Sequence, residues 1–274
     1  MEDIRLMAFD MDGTLLGDDK RISPRTLAAL RKARERGVVL MLCSGRSFEA
    51  LTEFAADAGL DIAIASANGA RIDLSVKSGI LRESPIEQNL SHKIYHYLKQ
   101  TGIYFMAYAR GRSYMVNRLT ELRAPNRAHI PGTRQFPGGC YETVLDPERA
   151  DRECWKGTYK YICFGTDYDP RFDAIRADFQ GDGLSISSSW RDNLEIMNPG
   201  VDKGFAVRAV AEHYGIPLES CMVFGDNTND EPMLRVAGWP VVMENAEPRV
   251  KPLARILAPK NTEDGVARVI EQYV

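Results

Sequence analysis

The chain has no apolar run long enough to span a bilayer, no Cys-x-x-Cys pair, no internal repeat and no low-complexity tract. Each absence removes a class of protein. Without a span of some twenty apolar residues there is no transmembrane helix, and no basic-then-apolar leader opens the sequence. Five cysteines (Cys43, Cys140, Cys154, Cys163 and Cys221) form an odd, scattered set. That argues against a disulfide framework and a zinc site, and fits a reducing compartment. Charge of one sign is also scarce: the net charge is −3 over 274 residues. Such a surface exerts no global pull on nucleic acid or an anionic membrane. A cytoplasmic protein with neither as partner is expected, as a monomer or homodimer. What is present is ordinary for a globular chain: 44% apolar and 27% charged residues. The length suffices for one large or two modest domains.

Short apolar runs alternate with helical periodicity at both ends. Ile4–Phe9 reads as a buried strand ending on Asp10. Ser23-Pro24 is an N-cap followed by proline at the first helical position, and Gly37 is placed to end that helix. Val38–Cys43 is a second strand, Ser47–Ala58 a helix and Ile62–Ala65 a third strand. The rhythm returns late, with a helix over Lys203–Tyr214, a strand over Cys221–Phe224, a helix over Met233–Ala237 and a strand over Trp239–Met243. A closing helix is expected to be capped by Thr262. Alternating strand and helix predicts an α/β fold with a Rossmann-like parallel sheet. The middle differs. Ile103–Ala109 and Ser113–Val116 flank Arg110-Gly111-Arg112 as a hairpin, and Pro125–Gly139 reads as a loop. Tyr159–Gly165 and Leu184–Trp190 read as strands around a helix at Pro170–Gln180. An α+β domain over 83–190 is therefore expected inside a core of 1–82 and 191–274.

Ligands gather beyond the carboxyl ends of strands in an open parallel sheet, and four polar clusters lie there or beside them. In Asp10-Met11-Asp12-Gly13-Thr14-Leu15, alternate residues leaving a strand point the same way, so Asp10 and Asp12 can share a site. Two close carboxylates repel, which raises a pKa or calls for a cation; with a phosphate ligand, Mg²⁺ suits. A solvated acidic turn is the plain alternative. Ser44-Gly45-Arg46 ends the second strand, where a hydroxyl and helix N–H groups can hold a phosphate oxygen or merely cap a helix. Lys203 sits at a helix start against the helix dipole, a local cost that a nearby anion would justify. Gly225-Asp226-Asn227-Thr228-Asn229-Asp230 adds Asp226 and Asp230 beyond another strand, either completing a metal site or capping a helix.

In this order the clusters resemble the four motifs of the haloacid dehalogenase superfamily. Ser66-Ala67-Asn68-Gly69-Ala70, Glu195-Ile196-Met197-Asn198-Pro199-Gly200-Val201-Asp202-Lys203-Gly204 and Asn229-Asp230-Glu231-Pro232-Met233-Leu234 resemble its Cof-like phosphatase subfamily. Glu231 departs from the apolar or small residue of many relatives. The resemblance implies an Mg²⁺-dependent phosphatase acting on a small phosphate ester, sugar phosphates first. It implies Asp10 as nucleophile and Asp12 as general acid, then base. Ser44, Gly45, Lys203 and Asn229 would hold the phosphoryl group. Asp10, Asp12 through its carbonyl, and Asp226 would bind the metal, with Asp230 behind them. The inserted domain would be the cap that selects substrate. Its Arg110, Arg112, Arg118, Arg123, Arg127, Arg134, Tyr104, Tyr108, Tyr114 and Tyr141 are candidate selectors or simply surface and core. A sugar phosphomutase, and a signalling or sensor module phosphorylated on aspartate, are the rival readings.

Overall fold

The computed structural model describes residues 4–77, 79–116, 142–144, 146–189 and 191–274. The chain forms two compact units, Met1–Glu83 with Val201–Val274 and the intervening Ser84–Gly200. The first unit begins with β1 (Leu6–Phe9), α1 (Pro24–Glu35), β2 (Val39–Cys43), α2 (Phe48–Asp57), β3 (Ala63–Ser66), β4 (Arg71–Asp73) and β5 (Ile80–Glu83). The Ser23 hydroxyl accepts from the Thr26 N–H, and Pro24 opens α1. Gly37 follows that helix at φ 84°, the left-handed turn that ends it.

The second unit holds α3 (Gln88–Gln100), β6 (Tyr104–Ala109), β7 (Arg112–Val116), β8 (Glu142–Val144), α4 (Pro147–Glu153), β9 (Thr158–Phe164), α5 (Pro170–Asp178), β10 (Ser185–Ser187) and β11 (Asn193–Met197). The chain then returns through α6 (Lys203–His213), β12 (Cys221–Gly225), α7 (Glu231–Val236), β13 (Trp239–Met243), β14 (Ile256–Ala258) and α8 (Gly265–Tyr273).

The first unit's sheet has the order β14-β13-β12-β1-β2-β3-β4-β5. All pairs from β14 to β3 are parallel, as expected, whereas β4 and β5 add an antiparallel edge. The reversal follows from the short turn Ala67–Gly69, which replaces a crossover helix after β3. Alternate strand residues feed opposite faces. Phe9, Leu42 and Phe224 join α1, α2 and α8 on one side. Ala8, Cys43 and Val223 join α6 and α7 on the other. Thr262 is not the closing cap. It lies in a short 3₁₀ turn, Asn261–Glu263, and α8 starts only after Asp264 at φ 58°. Gly265 sets that start: a Cβ there would lie 1.9 Å from the Pro259 carbonyl oxygen, so only glycine lets the backbones meet.

The second unit's sheet has the order β10-β11-β9-β6-β7-β8, antiparallel except for the β7–β8 pair. Arg110-Gly111 makes the expected hairpin turn, with Ala109 opposite Arg112. Helices α3, α4 and α5 cover one face through Ile94, Tyr95, Ala150, Phe172 and Ile175. Residues 191–200 were expected in the core. They lie in the second unit because β11 is paired on both sides there, with β9 and β10. Pro125–Gly139 lies outside the described residues.

Candidate active site

Strands β12, β1 and β2 are neighbours, parallel and in register: Phe9 is level with Phe224 on one side and Leu42 on the other. Register then puts Asp10 level with Gly225 and Cys43, with Asp226 and Ser44 one residue further along strands about 4.8 Å apart. Asp10, Asp226 and Ser44 therefore occupy one edge of the sheet. Lys203 reaches it from the start of α6, where the Cys43 thiol lies against its carbonyl. The site is built by sheet register, not by local sequence.

Asp10, Asp226 and Asp230 present carboxylate oxygens within 4.8 Å of one another. Lys203, fully buried at 0% exposure, extends its ammonium between two of them, 2.5 Å from Asp10 and 2.5 Å from Asp230. The lysine is thus no exposed helix end, and the Asp202 side chain caps the helix N–H of Phe205 instead. Asp230 is engaged on both oxygens: its other one accepts the N–H groups of Asp226 and Asn227. Gly225 admits this loop, because a Cβ there would sit 2.6 Å from that of Asp230. Asp226 also accepts the Thr14 hydroxyl at 2.6 Å. Gly13, at φ 86°, has no Cβ to collide with Asp226, which would otherwise be 2.3 Å away.

Three carboxylates around one ammonium leave an excess of negative charge away from water. Burial, and the Asp230 carboxylate next to it, push Asp226 up to about 7. Burial raises Asp10 as well, against the pull of Lys203. For Lys203, burial acts downward, but Asp10 and Asp230 outweigh it and hold the lysine charged above its ordinary range. Such a site accepts either protons or a hard cation. Oxygen donors only, clustered and partly hydrogen-bonded, fit Mg²⁺ in place of softer ions.

Asp12 does not join the cluster with its carboxylate. Arg46 holds it in a two-pronged fork, Nε to Oδ2 at 2.9 Å and Nη2 to Oδ1 at 2.8 Å, and Lys20 adds a contact at 3.1 Å. The Ser44 hydroxyl is buried and accepts the Arg46 N–H. The loops after β2 and β3 are stitched together, since Asn68 N–H donates to the Ser44 carbonyl and Ala67 N–H to that of Arg46. Ala67 and Asn68 take left-handed φ of 47° and 56°, and the Asn68 side chain accepts from Asn229 at 3.4 Å. Asn229 is thereby fixed near the cluster's loop.

Sequence reasoning gave no role to Thr14, Lys20, Arg46 and Asn68. Thr14 and Asn68 lay within the motifs that carry the resemblance, and Arg46 stood two residues past a candidate anion-binding serine. Glu231 pairs with Arg235 and Arg249. In the second unit, Arg112 and the buried Tyr114 are tied to Glu153, which commits them to local structure. Arg118, Arg123, Arg127, Arg134 and Tyr141 lie outside the described residues. Four cysteines are buried free thiols, and Cys140 also lies outside. Among the described residues no helix is long and apolar enough to cross a membrane.

Adjoining strand ends of a Rossmann-like, largely parallel sheet thus converge carboxylates on a buried lysine. The chain belongs to the haloacid dehalogenase-like hydrolases, whose family model matches residues 7–270, and it is a phosphatase of the Cof-like branch. The HMP-PP phosphatase of Klebsiella pneumoniae (strain 342) is 31% identical over 252 residues, covering 90% of this chain and 86% of its own. The 5-amino-6-(5-phospho-D-ribitylamino)uracil phosphatase YcsE of Bacillus subtilis (strain 168) is 28% identical, covering 99% and 96%. The crystal structure of TM0651 from Thermotoga maritima matches with a TM-score of 0.84 at 26% identity, over 98% of this chain and 97% of that one.

Proposed function

We propose that the chain hydrolyses small phosphomonoesters by way of a phosphorylated Asp10, with Mg²⁺ as cofactor. The observation that carries the reading is the Lys203 ammonium buried between Asp10 and Asp230 within a cluster of three acids. Asp10 and Asp226, with the Asp12 backbone carbonyl, would hold the ion. It would supply the positive charge that keeps both carboxylates ionised and offsets their repulsion of a phosphate dianion.

In the first displacement a carboxylate oxygen of Asp10 bonds to phosphorus as the ester P–O bond breaks. Asp12 gives its proton to the departing alkoxide oxygen. In the second, water attacks the same phosphorus and loses its proton to Asp12, and inorganic phosphate leaves with the Asp10 carboxylate restored. Lys203, Ser44, Gly45 and Asn229 hold the phosphoryl oxygens, and Lys203 also offsets charge building on them. Asp230 positions Lys203 and the Asp226 loop. The Arg46 fork and Lys20 position Asp12 by both carboxylate oxygens, and one of those oxygens must be released for Asp12 to carry the proton.

For substrate, phosphorylated sugars and polyols come first. The compound named for the B. subtilis relative carries a 5-phospho-D-ribityl group, a phosphorylated polyol. The second unit is proposed as the part that reads the rest of the molecule. The deciding experiment is release of inorganic phosphate from a panel of sugar and polyol phosphates with Mg²⁺, for the wild type and for Asp10→Asn. The substitution is expected to lower turnover on the order of 10⁴-fold or more with an unchanged circular dichroism spectrum. Normal turnover by a variant shown free of deamidation overturns the mechanism. A transfer of phosphate between hydroxyls of one sugar, with none released, would mark a phosphomutase. A stable phosphorylated Asp10 without turnover would mark a signalling module.

A further inference from the structure

Helix α3 carries two of the chain's four histidines, His92 and His96, one turn apart. Residues four apart share a helix face, the spacing by which a helix offers two imidazoles to one ion. Here the two Nε2 atoms approach to 3.0 Å. Each ring is held by an aromatic neighbour. Trp155 meets His92 edge-on with centroids 4.8 Å apart, and Tyr95 meets His96 at 5.2 Å. Both neighbours are themselves anchored on Asp151, Trp155 through its indole N–H to the carbonyl and Tyr95 through its hydroxyl to the carboxylate. Lys99 pairs with the same carboxylate, so the charged groups beside His96 offset each other. His92 is exposed and His96 half-buried, which leaves the facing nitrogens within reach of solvent.

The 3.0 Å spacing is that of a hydrogen bond between the rings, and it also lies within the span of two neighbouring ligands of one ion. Bonds of about 2.05 Å from one ion to two nitrogens 3.0 Å apart meet at about 94°. That is the angle between neighbouring ligands of a tetragonal ion. A tetrahedral ion would part the nitrogens to about 3.3 Å. Copper(II) and nickel(II) take tetragonal sites of this kind, and copper(II) binds imidazole more tightly than zinc does. We propose that His92 and His96 form a chelating site in the second unit for a tetragonal divalent ion of the copper(II) or nickel(II) type, with water completing the coordination. The site is separate in chemistry from the acid cluster, whose oxygen donors suit harder ions, and it does not depend on the proposed hydrolysis.

The test uses the untagged full chain in excess Mg²⁺, titrated with Cu²⁺ and, separately, Ni²⁺. Calorimetry follows the affinity, electron paramagnetic resonance counts the nitrogens on copper, and tryptophan emission reports proximity to Trp155. One Cu²⁺ with two coordinated nitrogens is expected, together with quenching that Trp155→Phe removes. His92→Gln and His96→Gln are each expected to weaken binding on the order of 10²-fold, the advantage a second tethered ligand confers. Zn²⁺ should bind more weakly than Cu²⁺. Affinity unchanged in both histidine variants, or a copper spectrum with a single nitrogen, overturns the site and leaves the pair a histidine–histidine hydrogen bond. If His96→Gln melts early, the affinity of the exposed His92→Gln variant decides between the two outcomes.

Discussion

Both units bury a lysine against carboxylates, yet the two arrangements differ in their charge balance. In the second unit Lys160 meets Glu195 at 2.7 Å, one cation to one anion among the described residues, with side chains 1% and 5% exposed. Ser189 donates to the same glutamate, and the ammonium lies 5.8 Å from the centre of the Tyr108 ring. In the first unit Lys203 faces Asp10 and Asp230 with Asp226 alongside, one cation to three anions. A balanced buried pair is a structural solution, because each charge is satisfied where it lies. An unbalanced one is unfinished: it stores a demand for positive charge that a proton, a cation or a chemical step must meet. Burial of charge alone does not mark a catalytic centre; burial of an imbalance does.

That contrast can be broken most forcefully at Lys203. Lys203→Met should lower phosphate release on the order of 10³-fold, and a variant retaining a tenth of wild-type turnover would remove the lysine from the chemistry. Lys160→Met should act on stability instead, costing on the order of 1–3 kcal/mol for the loss of a buried partner of Glu195. Denaturant melts should show the loss, while turnover of a small, undemanding ester at low temperature stays within about threefold. If it abolishes turnover as Lys203→Met does, the distinction between the two lysines fails.

The pH dependence sharpens the same point. Asp226 titrates at about 7 in the fold against 3.8 for an unperturbed side chain. Its protonated form is favoured by folding, so the stability it contributes is complete below 3.8 and lost as pH rises through about 7. Metal-free protein should therefore melt lower at pH 8 than at pH 5.5, and added Mg²⁺ should raise the melting temperature more at pH 8. Equal Mg²⁺ effects at both values would contradict a proton–cation exchange at the acids. The smallest effect is expected at Arg46. Arg46→Gln should reduce kcat/KM about tenfold for alkyl phosphates, whose leaving groups need a proton, and less for an aryl phosphate that leaves unaided. Equal losses on both would show that the fork supports the fold and not proton transfer.

The parallel core was legible because its signals are local. Ser23-Pro24, Gly37 and the apolar run before each polar cluster act within a few residues. The motif residues Asp10, Ser44 and Asp226 were legible for the same reason, each being the first polar residue after a strand. Partnerships were not. Arg46 reaches Asp12 across 34 positions and Thr14 reaches Asp226 across 212, distances over which no spacing rule operates. The assignment of 191–200 failed because strand β11 runs straight into the lysine motif, and only its pairing with β9 and β10 reveals its sheet. The Thr262 cap failed because a close glycine–carbonyl approach at Gly265, invisible to capping propensity, moves the start of α8.

The pairing of β1 with β12 also orders events on a growing chain. Ser84–Gly200 is continuous and can complete its own contacts as soon as it has emerged. The sheet that carries Asp10 cannot: Leu6 must wait for Cys221 and Phe9 for Phe224. Synthesis at about 5–20 residues per second makes that a delay of roughly ten seconds or more. During it β1, apolar throughout, lacks its β12 neighbour and leaves that edge open to other partners.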